Sequence, residues 1–294
     1  MSTYKTVTVA GATGNLGPSI VNALVDAGFQ VQAITRSGKA EGLPSSVKVT
    51  KVDYSSQDSL VSALRGQDAF VSAVPDHNMQ PALIDAAITA GVKRFLPSEF
   101  GSDIYGNENN RKLPVFGGKV KTQEYLRGKQ DQISYTCVVT GAFLDWGLKV
   151  NFIANVKDGK NKIYDGGDSP RTMSLLSDIG KAVVGVLQHP EETKNRAVYI
   201  QSAAVSQNQL LKLAKKAKPS LEIEIEKVDT AELEKKSYEI LQKGENIMQA
   251  MFGFITVSIF RDGYGGLFAK TNNELFGIKE LSEAEVEQVV AQYV

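Results

Sequence analysis

Short apolar runs rich in β-branched residues alternate with stretches of helical periodicity along the first half of the chain. The runs "TVTVAG", "QVQAITR", "VKVTKVD", "DAFVSAVP", "VKRFLPS" and "SYTCVVTG" are typical of strands that are buried on both faces. Between them, "PSIVNALVDAG", "DSLVSALRG", "PALIDAAITAG" and "VKTQEYLRG" predict helices that each end at a glycine able to adopt a left-handed cap. Because alternating strands and helices form βαβ units, the pattern predicts an α/β fold around a doubly wound parallel sheet.

After about residue 150 this regular alternation loosens. The segments "DIGKAVVGVLQ" and "QNQLLKLAKKA" predict helices, "RAVYIQS" and "LEIEIEKVD" predict strands, and "TAELEKKSYEILQKGENIMQAMFG" predicts one long, partly exposed helix. No linker rich in Pro, Ser or Gly separates the two halves. We therefore expect a cofactor domain over residues 1–150 and a smaller C-terminal α/β substrate lobe over residues 151–294, with an approximate boundary that elements can cross and a ligand cleft between.

A glycine-rich loop stands between the first predicted strand and the first predicted helix. Gly11, Gly14 and Gly17 are spaced G-x-x-G-x-x-G in "VTVAGATGNLG". A tight turn without Cβ atoms lets backbone N–H groups and the helix N-terminus face a pyrophosphate. This context predicts a Rossmann-type dinucleotide-binding domain rather than a simple turn. The other predicted cofactor-binding positions of the loop are Thr13, Asn15 and Leu16.

The ends of the next strands bear on which dinucleotide binds. Where an NAD-preferring protein offers an acidic side chain to the ribose, this chain has Arg36, followed by Ser37 and Lys39. A guanidinium there matches a 2'-phosphate, so the sequence favours NADPH, with a solvated basic turn as the alternative. In "VDYSS", Asp53 and Tyr54 end the third strand near where an adenine would lie, and for Asp53 the alternative is the N-cap of the next helix. The segment "SAVPDHN", after the fourth strand, is a further candidate to line the cofactor.

The segment "VFGGKVKTQEYLRGKQ" contains two possible catalytic lysines. Tyr125 and Lys129 form a Tyr-x-x-x-Lys pair, which many nicotinamide-dependent reductases use to protonate a carbonyl. A crossover helix begins at the cofactor edge of the sheet, so this pair falls at the distant end of the helix. Lys119 lies in the first turn, at the correct edge, with Val115 where the tyrosine of such a pair would be. Lys119 is therefore the candidate acid or base, or it only hydrogen-bonds the ribose of the cofactor. Lys121 is its rival on the neighbouring face, and both could be ordinary exposed lysines.

Composition excludes several other kinds of function. Lysine plus arginine and aspartate plus glutamate balance at 33 each, so no basic field favours nucleic acid. The single cysteine, Cys137, lies in an apolar run that indicates core packing, and it supplies no metal cluster. The longest apolar stretch is too short for a bilayer, and the start of the chain enters a strand pattern at once. We expect a cytoplasmic protein without a membrane segment, a metal site or a leader, and with a small-molecule substrate; the oligomeric state is left open.

Four features together resemble the isoflavone reductase-like and NmrA-like branch of the atypical short-chain dehydrogenases. They are "GATGNLG", Arg36 after the second strand, "GVKRFLPSEFGSD" from Gly91 to Asp103, and the helix of Lys119 without its tyrosine. The resemblance is dense over residues 5–150 and thins afterwards, although "SLLSDIGKAVVGVLQHP" is also similar to the second lobe of that family. It implies an enzyme that uses NADPH on aromatic secondary metabolites.

The resemblance also implies roles for individual positions. The essential lysine of the family falls on Lys119, although Gln123 and Glu124 stand where the plant enzymes have arginines. In "TGAFLDWG", Phe143 matches an aromatic residue that borders the nicotinamide, and Trp146 replaces a tyrosine that faces the substrate. These two aromatics are also spaced as core residues on one helical face.

Ser98, at the end of the fifth strand, is expected either to touch the cofactor or to cap the strand.

The sequence thus supports two hypotheses of different kinds. The first is an NADPH-dependent reductase that transfers hydride to a small aromatic or conjugated metabolite, with Lys119 as general acid or base. The alternative is an NmrA-like regulatory protein that senses dinucleotides without turnover. Retention of Lys119 and of the aromatic residues favours the enzyme, whereas the missing tyrosine and arginines leave room for the sensor.

Overall fold

A computed structural model describes residues 4–39 and 41–294 of the chain. Residues 1–3, where the expectation about a leader begins, and Ala40, within the predicted basic turn, lie outside the described residues. The twelve strands assigned in the described part are β1 Thr6–Ala10, β2 Gln30–Thr35, β3 Lys48–Lys51, β4 Ala69–Ser72, β5 Arg94–Leu96, β6 Ser134–Val139, β7 Ala142–Phe143, β8 Lys160–Tyr164, β9 Arg171–Ser174, β10 Arg196–Tyr199, β11 Ala203–Val205 and β12 Glu224–Val228.

Helices cover the faces of these strands and build most of the second half. The α-helices are α1 Gly17–Asp26, α2 Gln57–Leu64, α3 Gln80–Ala90, α4 Glu108–Lys112, α5 Gly117–Arg127, α6 Leu144–Lys149, α7 Leu176–Gln188, α8 Gln207–Ala217, α9 Thr230–Lys243, α10 Ile247–Phe260 and α11 Glu283–Ala291. Short 3₁₀ turns cover His77–Met79, Pro114–Phe116 and Glu274–Phe276.

The main sheet has seven parallel strands in the order β10-β6-β5-β4-β1-β2-β3. The chain therefore runs outward from β1 in one direction and then returns to its other side at β4. At such a reversal the loops after β1 and β4 diverge, which opens a crevice at the carboxyl ends of the strands. This arrangement confirms the predicted doubly wound Rossmann-type fold.

Both faces of the sheet are buried, because its strands carry apolar side chains on both sides. Val7 and Val9 of β1 belong to one core, which α1 and α7 cover, whereas Ala10 belongs to the core on the opposite face. Cys137 on β6 is fully buried in that second core, as predicted. With both faces filled, polar chemistry is confined to the loops at the sheet edge.

Two elements from beyond residue 150 belong to the main sheet. Strand β10 pairs with β6, and helix α7 packs against α1 on the face of the sheet. A Cβ atom at Gly180 of α7 would lie 2.5 Å from the main-chain oxygen of Ser19 on α1, so the two helices are in close contact. The division of the chain at residue 150 stays a proposal, and these two elements would cross it.

The remaining elements form a smaller α/β region with its own core. Strands β11, β9 and β7 make one small sheet, and β12 pairs with β8 in another. Side chains of α6, α8, α10 and α11, such as Leu148, Leu210, Ile259 and Val290, fill the core beside these sheets. Helices α6 and α10 reach the crevice of the main sheet from this side.

Two details of the predicted helices are wrong. The segment predicted as one long helix consists of α9 and α10, because Gly244 and Asn246 between them have positive φ angles of 68° and 46°. Left-handed backbone interrupts a right-handed helix and redirects the chain. In addition, Gly28, Gly66 and Gly91 have positive φ, but Gly128 after α5 stays right-handed at −74°.

Replacing Gly180 with alanine tests the contact between α7 and α1. The added methyl group overlaps the main chain of α1, so Gly180→Ala is expected to lower the free energy of unfolding by about 1 to 3 kcal/mol. Urea denaturation followed by circular dichroism measures this change. Gly117→Ala is the matched control, because nothing lies within 4 Å of a Cβ at that helical position. Equal stability of the two variants would contradict the close packing of the helices.

Candidate active site

A cavity of about 570 Å³ lies at the carboxyl ends of β1, β2 and β4. Five of the predicted cofactor-binding residues line it, namely Gly11, Thr13, Gly14, Arg36 and Lys39. The loop after β1 forms one side, the basic turn after β2 forms one end, and residues 74–76 after β4 close the opposite side. The crevice that the strand order predicts is therefore present.

The three glycines of the loop serve different purposes. Gly11 has a φ of 76°, and a Cβ there would lie 2.6 Å from the carbonyl oxygen of Ala73. A Cβ at Gly17 would overlap the main chain of Gly11 and Ala12. At Gly14, by contrast, the nearest atom to a Cβ is the Gly11 oxygen at 3.3 Å. Gly11 and Gly17 are thus required by the fold, whereas Gly14 keeps the exposed side of the loop free of a side chain.

The other three predicted loop residues, Asn15, Leu16 and Gly17, do not line the cavity. Leu16 is only 7% exposed and packs into the core beneath α1, as the residue that precedes this helix. Asn15 is exposed beside it. Their predicted contact with the cofactor, which main-chain atoms could also make, stays a prediction.

At the end of the cavity formed by the basic turn, Tyr54 lines the wall, whereas its predicted neighbour Asp53 does not. The Tyr54 hydroxyl donates to the carbonyl of Ile34 at 3.1 Å, and burial raises its pKa to about 12. Asp53 does not line the cavity but accepts from the backbone and hydroxyl of Ser55 at 2.9 and 2.6 Å. The N-cap of α2 is Ser56, so the alternative that Asp53 caps this helix is wrong. The order of residues in "VDYSS" did not show which side chain turns inward.

A second cavity, of about 230 Å³, adjoins the first. Asp76 lines the first cavity and the next residue, His77, lines the second. The walls of the second cavity are apolar and come from both halves of the chain. They are formed by Phe100, Val115, Phe116, Phe143, Trp146, Phe152, Ile255 and Ile259. The polar side chains among the described residues that line it are His77, Ser102 and Lys119.

Lys119 enters this second cavity from the first turn of α5. Its Nζ donates a hydrogen bond to the main-chain carbonyl of Glu99 and lies 5.9 Å from the centre of the Phe116 ring. Burial lowers the pKa of Lys119, and the nearby negative charge of Glu99 opposes this effect. Lys121, its rival in the sequence, is exposed and does not line either cavity.

Tyr125 and Lys129 lie near each other but away from both cavities. The Tyr125 hydroxyl donates to Asp85 on α3 at 2.6 Å, and this bond raises the pKa of Tyr125 to about 12. The Lys129 Nζ lies 5.5 Å from the centre of the Tyr125 ring. The pair joins α5 to α3 instead of facing a ligand.

Phe143 and Trp146 both line the second cavity. Their rings meet edge to face, with centroids 6.3 Å apart and planes at 76°. Phe143 is the last residue of β7 and Trp146 lies in α6, so the expectation of one shared helical face is wrong. Ser98 is half-buried after β5 and lines neither cavity, so its role stays a prediction.

His77 is the main site residue that sequence reasoning did not single out, although "SAVPDHN" pointed to its segment. Burial and, to a smaller extent, the charge of Lys119 lower the pKa of His77 to about 4, so its imidazole is neutral at physiological pH. A Cβ at Gly118 would lie 2.7 Å from the Cβ of His77. The glycine at this position therefore lets the start of α5 lie directly against His77.

Arg111 on α4 was also not identified from the sequence. It donates to Gln123 Oε1 at 3.0 Å and to Glu124 Oε1 at 2.9 Å. Gln123 and Glu124 are the two positions at which the similar plant enzymes have arginines and this chain does not. A guanidinium therefore reaches this face of α5 from a different helix, a contact that no local pattern reveals.

Residues 4–39 and 41–294 also bear on metal binding and on membrane insertion. Within those residues no group of three or more His, Cys, Asp and Glu side chains is arranged to hold a metal ion. In the same part of the chain, no helix combines the length and hydropathy that a bilayer crossing requires.

Comparison with known proteins places the chain in a family. The sequence model of the NmrA-like family matches residues 3–260. The oxidoreductase aprR of Aspergillus flavus is 35% identical over 293 residues, which cover 97% of each chain. An isoflavone reductase homologue, IRL, of Zea mays is 33% identical over 71% of this chain and 73% of its own.

A solved structure shares the fold across almost the whole chain. The binary complex of leucoanthocyanidin reductase with NADPH from Vitis vinifera has a TM-score of 0.80 and 22% identity, covering 98% of this chain and 99% of that one. With a family match over most of its length and a relative at 35% identity over 97% of it, the chain belongs to the NmrA-like family, as its sequence motifs predicted.

Proposed function

We propose that this protein is an NADPH-dependent reductase that transfers hydride to a small aromatic or conjugated metabolite, with Lys119 as general acid or base. One observation carries the proposal. The Lys119 amine is buried in a cavity with aromatic walls, directly beside the cavity of the glycine loop. The naming of the Aspergillus flavus relative as an oxidoreductase supports a redox reaction.

The residues of the first cavity fit NADPH. Gly14 leaves space for the backbone of the loop to approach a pyrophosphate, and Arg36 and Lys39 supply cationic groups for a 2'-phosphate. Tyr54 adds an apolar ring surface at the same end. NADPH, when bound, supplies the hydride. The NADPH in the related Vitis vinifera structure supports this choice of cofactor.

The second cavity limits the size and character of the substrate. An apolar cavity of about 150 Å³ accommodates benzene, so about 230 Å³ suits a substituted aromatic ring. The edges of Phe143 and Trp146 offer contacts to such a ring. An oxygen substituent would meet the three polar side chains, Lys119, His77 and Ser102.

Lys119 then donates a proton to that oxygen or removes one from it, depending on the substrate. With a ketone or an enone, the ammonium donates a proton to the oxygen on which negative charge develops. With a phenol whose hydroxyl is para to the reacting carbon, the neutral amine removes the phenolic proton instead. Burial favours both roles, because it brings the pKa of the amine closer to neutrality. The neutral His77 can hydrogen-bond the same oxygen without competing for charge.

Arg36 is expected to distinguish NADPH from NADH. Loss of a charge-assisted contact to the 2'-phosphate predicts that Arg36→Ala raises the Kd of NADPH about 10- to 100-fold. The Kd of NADH should hardly change, because NADH lacks this phosphate. Titration of nucleotide fluorescence measures both constants, with Arg65→Ala at the end of α2 as the control. An equal loss of affinity for both nucleotides would mean that Arg36 does not contact the phosphate.

Lys119 is expected to be essential for turnover but not for cofactor binding. We expect Lys119→Met to reduce kcat at least about 100-fold, whereas the exposed control Lys121→Met keeps wild-type activity. The assay is NADPH oxidation with a panel of aromatic ketones, enones and phenolic ethers.

The same assay distinguishes the two hypotheses from the sequence. Full activity of Lys119→Met would remove Lys119 from the mechanism. Tight NADPH binding without reduction of any compound in the panel would favour a dinucleotide sensor.

A further inference from the structure

Glu99 is an acidic residue buried directly behind the wall of the second cavity. It follows β5 and is 3% exposed, while the next residues, Phe100 and Gly101, line the cavity. Its main-chain carbonyl accepts the hydrogen bond of the Lys119 amine. The contact fixes the amine beside Glu99, whose buried carboxyl acts on the amine through its charge.

The carboxyl of Glu99 has charged or polar neighbours on four segments of the described chain. Lys119 and Gln123 approach it from α5, Arg111 from α4, Asp103 from its own loop and Cys137 from β6. Burial raises the pKa of Glu99 to about 7, while Lys119, Gln123 and Arg111 lower it. The Gln123 oxygen accepts from Arg111, and Gln123 Nε2 is buried without a hydrogen-bond partner among the described residues, so this donor is free to stabilise a carboxylate.

The neighbours of Lys119 form a shorter set. Glu99 raises the pKa of the amine, the buried thiol of Cys137 has a weaker effect in the same direction, and His77 faces it from the 3₁₀ turn after β4. Burial pushes the amine toward its neutral form, because a charge without water is unfavourable. Among the described residues that face Lys119, Glu99 provides the strongest opposing effect.

We propose that Glu99 is a positioning residue for Lys119: the buried carboxylate of Glu99 keeps the amine of Lys119 in the charged ammonium form. Its catalytic meaning rests on the function proposed above, since an ammonium group can donate a proton to a substrate oxygen. The carboxylate itself does not line the cavity and acts through Lys119 alone.

The titration of Lys119 tests this proposal directly. Labelling of the amine with acetic anhydride requires the neutral form, so its rate across about pH 5 to 11 gives the titration midpoint. The intact protein is labelled without nucleotide or substrate. Peptide mass spectrometry then identifies the label on Lys119. We expect Glu99→Gln to lower the midpoint by about one pH unit or more, because an opposite charge is lost.

Two further variants separate a charge effect from a structural one. Glu99→Asp keeps the charge and should keep the midpoint close to that of the wild type. Glu124→Gln is the matched control, since Glu124 is 59% exposed and bound to the distant side of Arg111. A midpoint that is unchanged in Glu99→Gln, or that moves equally in Glu124→Gln, would overturn the proposal.

A reciprocal measurement covers the case in which Glu99→Gln does not fold. Lys119→Met removes the positive charge that lowers the pKa of Glu99. Infrared titration of the protonated carboxyl band should then show Glu99 protonated to a higher pH than in the wild type. An identical titration in the two proteins would mean that the groups are not coupled, against the proposal.

Neither measurement depends on turnover, so the two proposals can fail separately. If the midpoint shifts as expected but Lys119→Met retains full reductase activity, Glu99 still controls the charge of Lys119 while the proposed catalytic role of the lysine is wrong. If the midpoint does not shift and Lys119→Met is inactive, the proposed function stands without Glu99.

Discussion

The burial of both faces of the parallel sheet determines where this protein can carry out chemistry. Most side chains within the strands pack into two apolar cores, and buried polar ones such as Gln32 and Arg94 are bound to main-chain carbonyls. The groups that can meet a ligand therefore come from the loops and helix starts at one edge. The glycine loop follows β1, Arg36 follows β2, His77 follows β4 and Glu99 follows β5. All strands point the same way, so these loops converge on one edge, and the reversal of strand order between β1 and β4 opens the space between them.

The burial that makes Lys119 useful also makes it costly. A buried ammonium loses its hydration, and the fold returns part of that loss through a main-chain carbonyl, the ring of Phe116 and the opposite charge of Glu99. The carbonyl and the charge both belong to Glu99 after β5, and the ring belongs to the 3₁₀ turn before α5. The contact of Gly118 with His77 fixes how closely α5 approaches. The reactivity of the amine is thus set by packing around it rather than by its own local sequence.

Local patterns predicted most of the strands and helices in the first half of the chain, up to about residue 150. Strand and helix periodicity identified the sheet elements, and the position of Lys119 followed from the direction of a crossover helix. His77 and Arg111 were missed because their importance arises from contacts with α5. His77 is distant from α5 in the sequence, and Arg111 lies on a different helix, α4. The break at Gly244 escaped because helical periodicity continues on both sides of it.

The break after α9 also explains why the second half of the chain was harder to predict than the first. Left-handed backbone at Gly244 and Asn246 lets α10 begin in a new direction, which brings Ile255 and Ile259 to the cavity wall. Phe252, on the same helix, is half-exposed and meets Phe152, which also lines the cavity. A glycine loop binds through its own backbone and can be recognised in a few residues, whereas this wall exists only once distant segments have packed. The shape of the second cavity therefore depends on tertiary structure, whereas the glycine loop can be recognised from a short motif.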